Sequence, residues 1–178
     1  MEFPIEYNHK TSHFRLKKLL LFSLLLAGLV GLAGGLLIYR QTHQSPVPPN
    51  IQKAVKFPVY YPDPKKLPVG YQLSLSSFSL PRPDVVVYTL NSDSGQKLNI
   101  SVQSKPDDSV IQNFNSKAIP LRREYHTKFG LAQIGAYQNA QPQTIASLPT
   151  DDNVWIIVTA PANINQAELK QILSSLKK

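Results

Sequence analysis

Histidines are the side chains best suited to acid–base catalysis and metal binding near neutral pH. The chain contains four, of which His9, His13 and His43 precede residue 57 and His126 follows it. One histidine cannot form a multi-histidine metal site. No G-x-S-x-G sequence is present to place a nucleophilic serine on a sharp turn, so a triad built on His126 has no recognisable nucleophile.

The acidic residues are scattered or occur as adjacent pairs. Asp107-Asp108 resembles a helix cap and Asp151-Asp152 a turn, and neither is the facing pair that glycoside hydrolysis requires. Cysteine is absent, which excludes disulfides, thiol catalysis and thiolate metal sites. The sequence therefore predicts a non-enzymatic protein with no catalytic residue, cofactor or metal, and an envelope hydrolase is the distant alternative.

Aromatic side chains are concentrated in one proline-rich stretch, FPVYYPDPKKLPVGY, residues 57–71. Each proline fixes its own backbone angle and keeps the preceding residue extended. Tyr60, Tyr61 and Tyr71 then have two interpretations. They cover the end of a sheet with their hydroxyls in water, or they form a ligand-facing surface on which carbohydrate or peptide stacks.

The location of the rest of the chain depends on an apolar segment, residues 19–39, which contains no charged residue in 21 positions. As a helix it would span roughly 31 Å, which matches a bilayer core. A cleaved signal peptide is the rival, but its apolar region is shorter and ends in small residues. The sequence predicts an uncleaved signal-anchor, a single-pass transmembrane helix.

Basic residues set the predicted orientation of this helix. Arg15, Lys17 and Lys18 directly precede it, and positive residues favour the cytoplasmic side. Residues 1–18 are thus a predicted cytoplasmic tail at the cell membrane, and the C-terminal domain is predicted to be extracytoplasmic.

The net charge of +8 is unevenly distributed. Residues 1–56 carry seven Lys/Arg and two Asp/Glu, a net +5, whereas residues 57–178 carry twelve and nine, a net +3. The excess of positive charge per residue is therefore greatest around the predicted membrane helix, where basic residues set its orientation, and the C-terminal domain is only mildly basic. Nucleic acid is therefore not an expected partner. The mildly basic domain is still expected to be weakly attracted to anionic cell-wall polymers or lipid head groups.

Small residues recur every four positions in the predicted membrane helix, at Ala27, Gly31 and Gly35. This spacing lets two helix backbones approach closely. It is therefore a candidate helix–helix contact, through which the chain forms a homo-oligomer or pairs with another helix.

Residues 40–56 lie between the predicted membrane helix and the domain. Pro46, Pro48 and Pro49 favour an extended polyproline-like spacer. The sequence therefore predicts a proline-rich stalk that holds the domain away from the bilayer.

Residues 57–178 read as short strands joined by turn sequences. YQLSLSSFSL alternates but changes face near Ser76-Ser77, DVVVYTL and KLNISVQ flank a turn, and the apolar run VWIIVTA suits a central strand covered on both faces. After Pro106, a short helix is predicted to turn Val110, Ile111 and Phe114 inward.

The C-terminal segment NINQAELKQILSSLKK carries the clearest helix signal. Asn165 is the predicted N-cap, Glu168 would close a capping box, and Leu169, Ile172, Leu173 and Leu176 form one apolar stripe. The predicted fold class is therefore α+β, a transmembrane helix followed by a mostly antiparallel sheet that the C-terminal helix covers.

These segments together resemble a family of bacterial extracytoplasmic domains of unknown function. Such domains are often C-terminal to a single membrane helix, sometimes in anti-sigma-factor-like proteins. The resemblance covers residues 57–178 and rests on an LP-x-GY element and an L-x-x-I-x-x-S-L helix: Leu67, Pro68, Gly70, Tyr71, Leu169, Ile172, Ser175 and Leu176. It implies an exported α+β domain, and the family brings no catalytic residues to carry over.

The predicted anchor, the predicted stalk and the lack of a recognisable catalytic or metal-binding motif together predict a membrane-anchored extracytoplasmic protein that binds or scaffolds something in the bacterial cell envelope. Its expected partners are the membrane and either another envelope protein or a cell-wall polymer. The alternative is an envelope sensor or regulator that signals through the membrane helix.

Overall fold

The computed structural model describes residues 45–137 and 141–178. The predicted cytoplasmic tail, the membrane helix and its small residues Ala27, Gly31 and Gly35 lie outside these ranges. Within them, no helix is long and apolar enough to cross a membrane. Residues Pro46–Lys178 form one compact unit.

This unit is an antiparallel β-sheet with helices on both faces, so the predicted α+β class is confirmed at that level. The helices are α1 (Pro49–Ala54), α2 (Asp108–Ala118) and α3 (Gln166–Ser175). The strands are β1 (Tyr61–Pro62), β2 (Tyr71–Leu73), β3 (Ser79–Arg82), β4 (Val85–Ser92), β5 (Lys97–Ser104), β6 (Arg122–Thr127), β7 (Gly130–Tyr137), β8 (Gln143–Pro149), β9 (Val154–Pro161) and β10 (Leu176–Lys177). Short 3-10 turns occupy Pro64–Lys66 and Leu75–Ser77.

The main sheet has the strand order β2-β4-β5-β9-β8-β7-β6, with β3 also beside β4, and all neighbours are antiparallel. The hairpin β4–β5 is followed by α2, which carries the chain to the opposite edge. From there β6 to β9 return as a meander that ends against β5. The central position predicted for the apolar run of β9 is confirmed.

One face of the sheet carries the main core. Residues directly opposite in antiparallel strands share a face, and one such row runs through Tyr88, Ile100, Val158 and Ala146, all fully buried. The apolar stripe of α3 lies in the same cluster. The prediction that the C-terminal helix packs on the sheet is therefore confirmed.

The segment predicted as an extended stalk is part of this core over residues 46–56. Pro49 begins α1, as proline often does at the first helical position. Val47, Ile51 and Val55 are buried in the cluster that includes the sheet and α3. The stalk prediction is wrong for these residues. Ile51 is buried from within α1, and Val47 and Val55 are buried from the chain on either side of it. Burying these apolar side chains outweighs the extended preference of the prolines.

Helix α2 covers part of the opposite face. Ala118 and Ile119 pack with Ile145 of β8 in a second buried cluster. The close approach depends on Gly135 of β7, where an added Cβ would lie 2.8 Å from the Cβ of Ile119. Because α2 is one short helix, the sheet on either side of it is only partly covered.

Candidate functional site

The three tyrosines predicted as ligand-facing are buried. Tyr60, Tyr61 and Tyr71 are 1%, 6% and 7% exposed, so their rings present no open face on which a sugar or peptide could stack. The ligand-facing interpretation is therefore wrong for these rings. The rings are buried by hydrophobic packing, because all three belong to the core cluster that α3 and α1 close.

The hydroxyl of Tyr60 belongs to a polar network centred on Asp152. It donates to both carboxylate oxygens, at 2.8 and 2.9 Å, and Thr150 Oγ1 donates at 2.6 Å. Lys178 Nζ lies 2.7 Å from Oδ2. Burial alone would raise the pKa of Asp152, but the hydrogen bonds from Lys178, Thr150 and Tyr60 lower it to about 2. The network joins three distant parts of the chain.

The hydroxyl of Tyr71 joins β2 to the first turn of α3. It lies 2.9 Å from Glu168 Oε2 and 3.1 Å from Gln96 Oε1. Burial, and then the hydrogen bond to the Glu168 carboxylate, raise the pKa of Tyr71 to about 12. The predicted N-cap is confirmed, since Asn165 Oδ1 accepts from the amide of Ala167, while Glu168 accepts this tyrosine hydroxyl.

The other acidic residues and the one histidine that the structure describes do not come together into a reactive constellation. His126 is exposed on the edge strand β6. Asp107 stands at the N-cap of α2 without a capping hydrogen bond from its side chain. Within residues 45–137 and 141–178, no three His, Asp or Glu side chains are grouped as a metal site requires.

A wide concave surface with an apolar lining lies along the β9 side of α2. This surface, the α2 groove, has a volume of about 690 Å³. Phe114 forms its helical wall, and its ring meets Trp155 of β9 edge to face, with centroids 5.1 Å apart. The other lining residues are Val110, Asn113, Lys117, Ala118, Tyr137, Ile145, Ile157 and Thr159.

Polar groups in the α2 groove are few. The indole nitrogen of Trp155 is already used, since it donates to Ser147 Oγ at 2.9 Å. Lys117 is exposed in the last turn of α2 and is the one charged residue among those that the structure describes in the lining. Val110 at the rim is 48% exposed, which contradicts the prediction that it faces inward. The groove thus offers a mostly apolar surface with one cation beside it.

The sequence contained a partial signal for this groove. Trp155 and Ile157 alternate with the core residues of β9, so the strand is apolar on both faces. That pattern predicted cover on both faces, but α2 is too short to cover the second face completely. The partial cover was not predicted because it depends on where α2 crosses the sheet.

The chain was compared with protein-family models, with curated proteins and with solved structures, and none of the three comparisons found a match. The resemblance to the bacterial extracytoplasmic family stays a prediction from short motifs.

Proposed function

We propose that this chain is a non-enzymatic, membrane-anchored binding or scaffolding protein of the bacterial cell envelope, and that its α2 groove binds a segment of a partner protein. The observation that carries the proposal is the apolar lining of the groove, in which Val110, Phe114 and Ile157 keep exposed surface. Exposed apolar concavities of this kind mark interaction sites in soluble domains.

The lining restricts the chemistry of the occupant. Val110, Phe114 and Ile157 keep exposed surface in the groove and would gain from being covered by aliphatic or aromatic side chains, at about 25 cal/mol per Å² of apolar surface. Lys117 has no ion-pair partner among the residues that the structure describes. A partner segment with apolar side chains and one Asp or Glu beside them would satisfy both requirements.

Binding is favoured over hydrolysis because the polar groups with shifted pKa values already serve the fold. The Asp152 carboxylate is held by Tyr60, Thr150 and Lys178, and the Tyr71 hydroxyl by Glu168. Catalytic acids and bases need a pKa near the working pH. The values of about 2 and about 12 for these two groups lie far from neutrality.

The location in the proposal rests on residues 19–39, whose charge-free sequence is suited to a membrane anchor. With residues 1–18 in the cytoplasm, the α2 groove would open in the envelope. The proposed partner is then an envelope protein or the exported part of a membrane protein.

Site-specific photocrosslinking in cells tests the proposal. A photoreactive residue at Val110, on the rim of the groove, is compared with one at Val69, which is 103% exposed and lies outside the groove lining. The full chain should give a discrete protein adduct from position 110 and none from position 69. Mass spectrometry should map the adduct to a partner segment with apolar residues and an adjacent acidic residue.

Three results would overturn this assignment. Equal adducts from both positions would indicate collision without a specific site. An adduct mapped to a second copy of this chain would make the groove a self-association surface. A lipid adduct would make it a membrane-contacting surface.

A further inference from the structure

A second, smaller pocket lies on the opposite side of α2, above β6 and β7. This α2–β7 pocket has a volume of about 190 Å³, below the roughly 300–1,000 Å³ of sites for drug-sized ligands. Its floor is apolar, formed by Ile111, Leu131 and Pro149, and its polar residues are Asp108, Gln112, Asn115, Arg122 and Gln133. The volume suits a molecule about as large as one amino acid residue.

Asn115 is the unusual member of this lining. Its side chain is only 4% exposed, and its Nδ2 donates to Gln133 Oε1 at 2.9 Å. Its Oδ1 is buried and has no hydrogen-bond partner within residues 45–137 and 141–178. A buried polar atom left unpaired costs about 1–3 kcal/mol, and such groups are rare in native structures. This acceptor is therefore suited to an incoming N–H group.

The charged members of the lining complement that acceptor. Arg122 is exposed and has no ion-pair partner among the residues that the structure describes, and a guanidinium binds carboxylates in a bidentate fork. Asp108 is engaged by Lys105 Nζ at 2.9 Å, so Arg122 carries the uncompensated charge of the pocket. A ligand with a carboxylate and a nearby N–H donor meets both groups.

We propose that the α2–β7 pocket binds an α-amino-acid unit, with its carboxylate on Arg122 and its N–H group on Asn115 Oδ1. Two sources share this chemistry: a free amino acid, whose donor is an ammonium group, and the C-terminal residue of a peptide, whose donor is an amide. The apolar floor receives a small side chain. This site is separate from the α2 groove and does not depend on it.

Calorimetric titration of the purified full chain in lipid nanodiscs tests the proposal with defined probes. L-alanine represents the free amino acid and N-acetyl-L-alanine the peptide terminus. Alaninamide lacks the carboxylate and propionate lacks the N–H donor. At least one of the first two should bind, and each of the last two should bind at least tenfold more weakly than the better probe.

Adjacent arginines supply a matched pair of variants. Arg122→Gln should weaken the better probe at least tenfold, whereas Arg123→Gln should change binding less than twofold. Both side chains are exposed, but neighbouring residues of β6 point to opposite faces of the sheet. Neither substitution should change the thermal stability.

Asn115→Leu separates a binding role from a structural one. It removes the unpaired acceptor, and Gln133, which is half-buried, can turn to water. Binding should be lost while Tm stays at or above the wild-type value, because no unpaired buried oxygen remains. A structural amide would give the reverse pattern, with Tm lowered.

The probes also identify the source of the ligand. Binding of alanine alone assigns the site to a free amino acid, and equal or tighter binding of N-acetylalanine assigns it to a peptide terminus. Absence of binding by both, or binding that Arg122→Gln leaves intact, overturns the proposal.

Discussion

Asp152 links three parts of the chain through its carboxylate. It follows β8 in sequence, yet Tyr60 of the N-terminal segment and Lys178 bond its carboxylate. The ring of Tyr60 meets Phe129 edge to face, with centroids 4.9 Å apart. These contacts tie the paired strands β1 and β10 to the turn after β8, so their loss should weaken the packing of both chain ends of the domain.

Substitution of Asp152 by Asn should reduce stability in a pH-dependent way. The folded-state pKa of about 2 lies below the unfolded value of about 3.9. The carboxylate therefore contributes stability above about pH 4, and this contribution is lost as pH falls toward 2. We expect a cost of about 1–2 kcal/mol at pH 7 that shrinks to near zero by about pH 2.

Urea unfolding followed by the fluorescence of Trp155, the sole tryptophan, measures this cost. Asp151→Asn is the control, since Asp151 is an exposed neighbour outside the network. Equal losses in both variants, or a loss for Asp152→Asn that persists at pH 2, would contradict the role given to this carboxylate.

At the residue scale, local signals were predictable and long-range ones were not. The N-cap at Asn165 follows from residue type and spacing within one turn, and the structure confirms it. The bond between Tyr60 and Asp152 joins residues 92 positions apart, and nothing in either local sequence specifies the other. The burial of the tyrosine rings could not be predicted either, because the residues that cover them are distant in the sequence.

At the element scale, helix α2 decides which surfaces the domain offers. It covers the second face of the sheet between the α2 groove and the α2–β7 pocket. Its distance from the sheet is set where Ile119 lies over Gly135. A bulkier residue at position 135 would lift the end of the helix and change both cavities.

Gly135→Ala should therefore destabilise the domain. The new Cβ would lie 2.8 Å from Ile119 Cβ and 3.0 Å from the carbonyl oxygen of Leu121, and neither is the end of a flexible side chain. We expect a loss of about 1–3 kcal/mol, as for other overpacked cores, in urea unfolding. Ala136→Ser, at the exposed next position, should change stability by less than about 0.5 kcal/mol. Wild-type stability in Gly135→Ala would mean that α2 is not held this close to β7.

Helix α1 gives a second test at this scale, because its residues were predicted to form a stalk. Ile51 is 6% exposed, so Ile51→Ala should cost about 2–4 kcal/mol through lost burial and a residual cavity. Gln52→Ala, at an exposed position of the same helix, should cost less than about 0.5 kcal/mol. The difference is read from thermal and urea unfolding of the full chain. Equal stabilities of the two variants would restore the stalk interpretation.

The elements themselves were largely predictable, but not all of their partners. The alternation of apolar and polar residues predicted the β4–β5 hairpin. The change of face near Ser76 corresponds to a 3-10 turn between β2 and β3. The pairing of β5 with β9 was not predictable, because α2 and three strands intervene between them. In the segment 46–56, the three prolines favoured an extended chain, and nothing in the local sequence specified that Val47, Ile51 and Val55 would be buried in the core of the sheet.

At the scale of the whole molecule, the proposal combines an anchor, a domain and an interaction surface. The fold class followed from the sequence because period-two strands and an amphipathic last helix admit few other arrangements. The α2 groove did not, since a surface between a helix and a sheet depends on tertiary placement. The lysine in its lining, Lys117, is the feature that makes the proposed partner chemistry testable.

The most direct test of the proposed function is the yield of the Val110 photocrosslink in two charge-reversed backgrounds. Lys117→Glu places a carboxylate beside the groove, and Lys53→Glu makes the same change in the last turn of α1, outside the groove lining. Because both lysines are exposed near helix ends, their substitutions carry similar helix-dipole costs.

We expect Lys117→Glu to reduce the adduct at least fivefold at unchanged expression, because a like charge would face the acidic residue of the partner. Lys53→Glu should leave the adduct yield within a factor of two. Equal yields in both backgrounds would contradict the proposal that an apolar, acidic partner segment occupies the α2 groove.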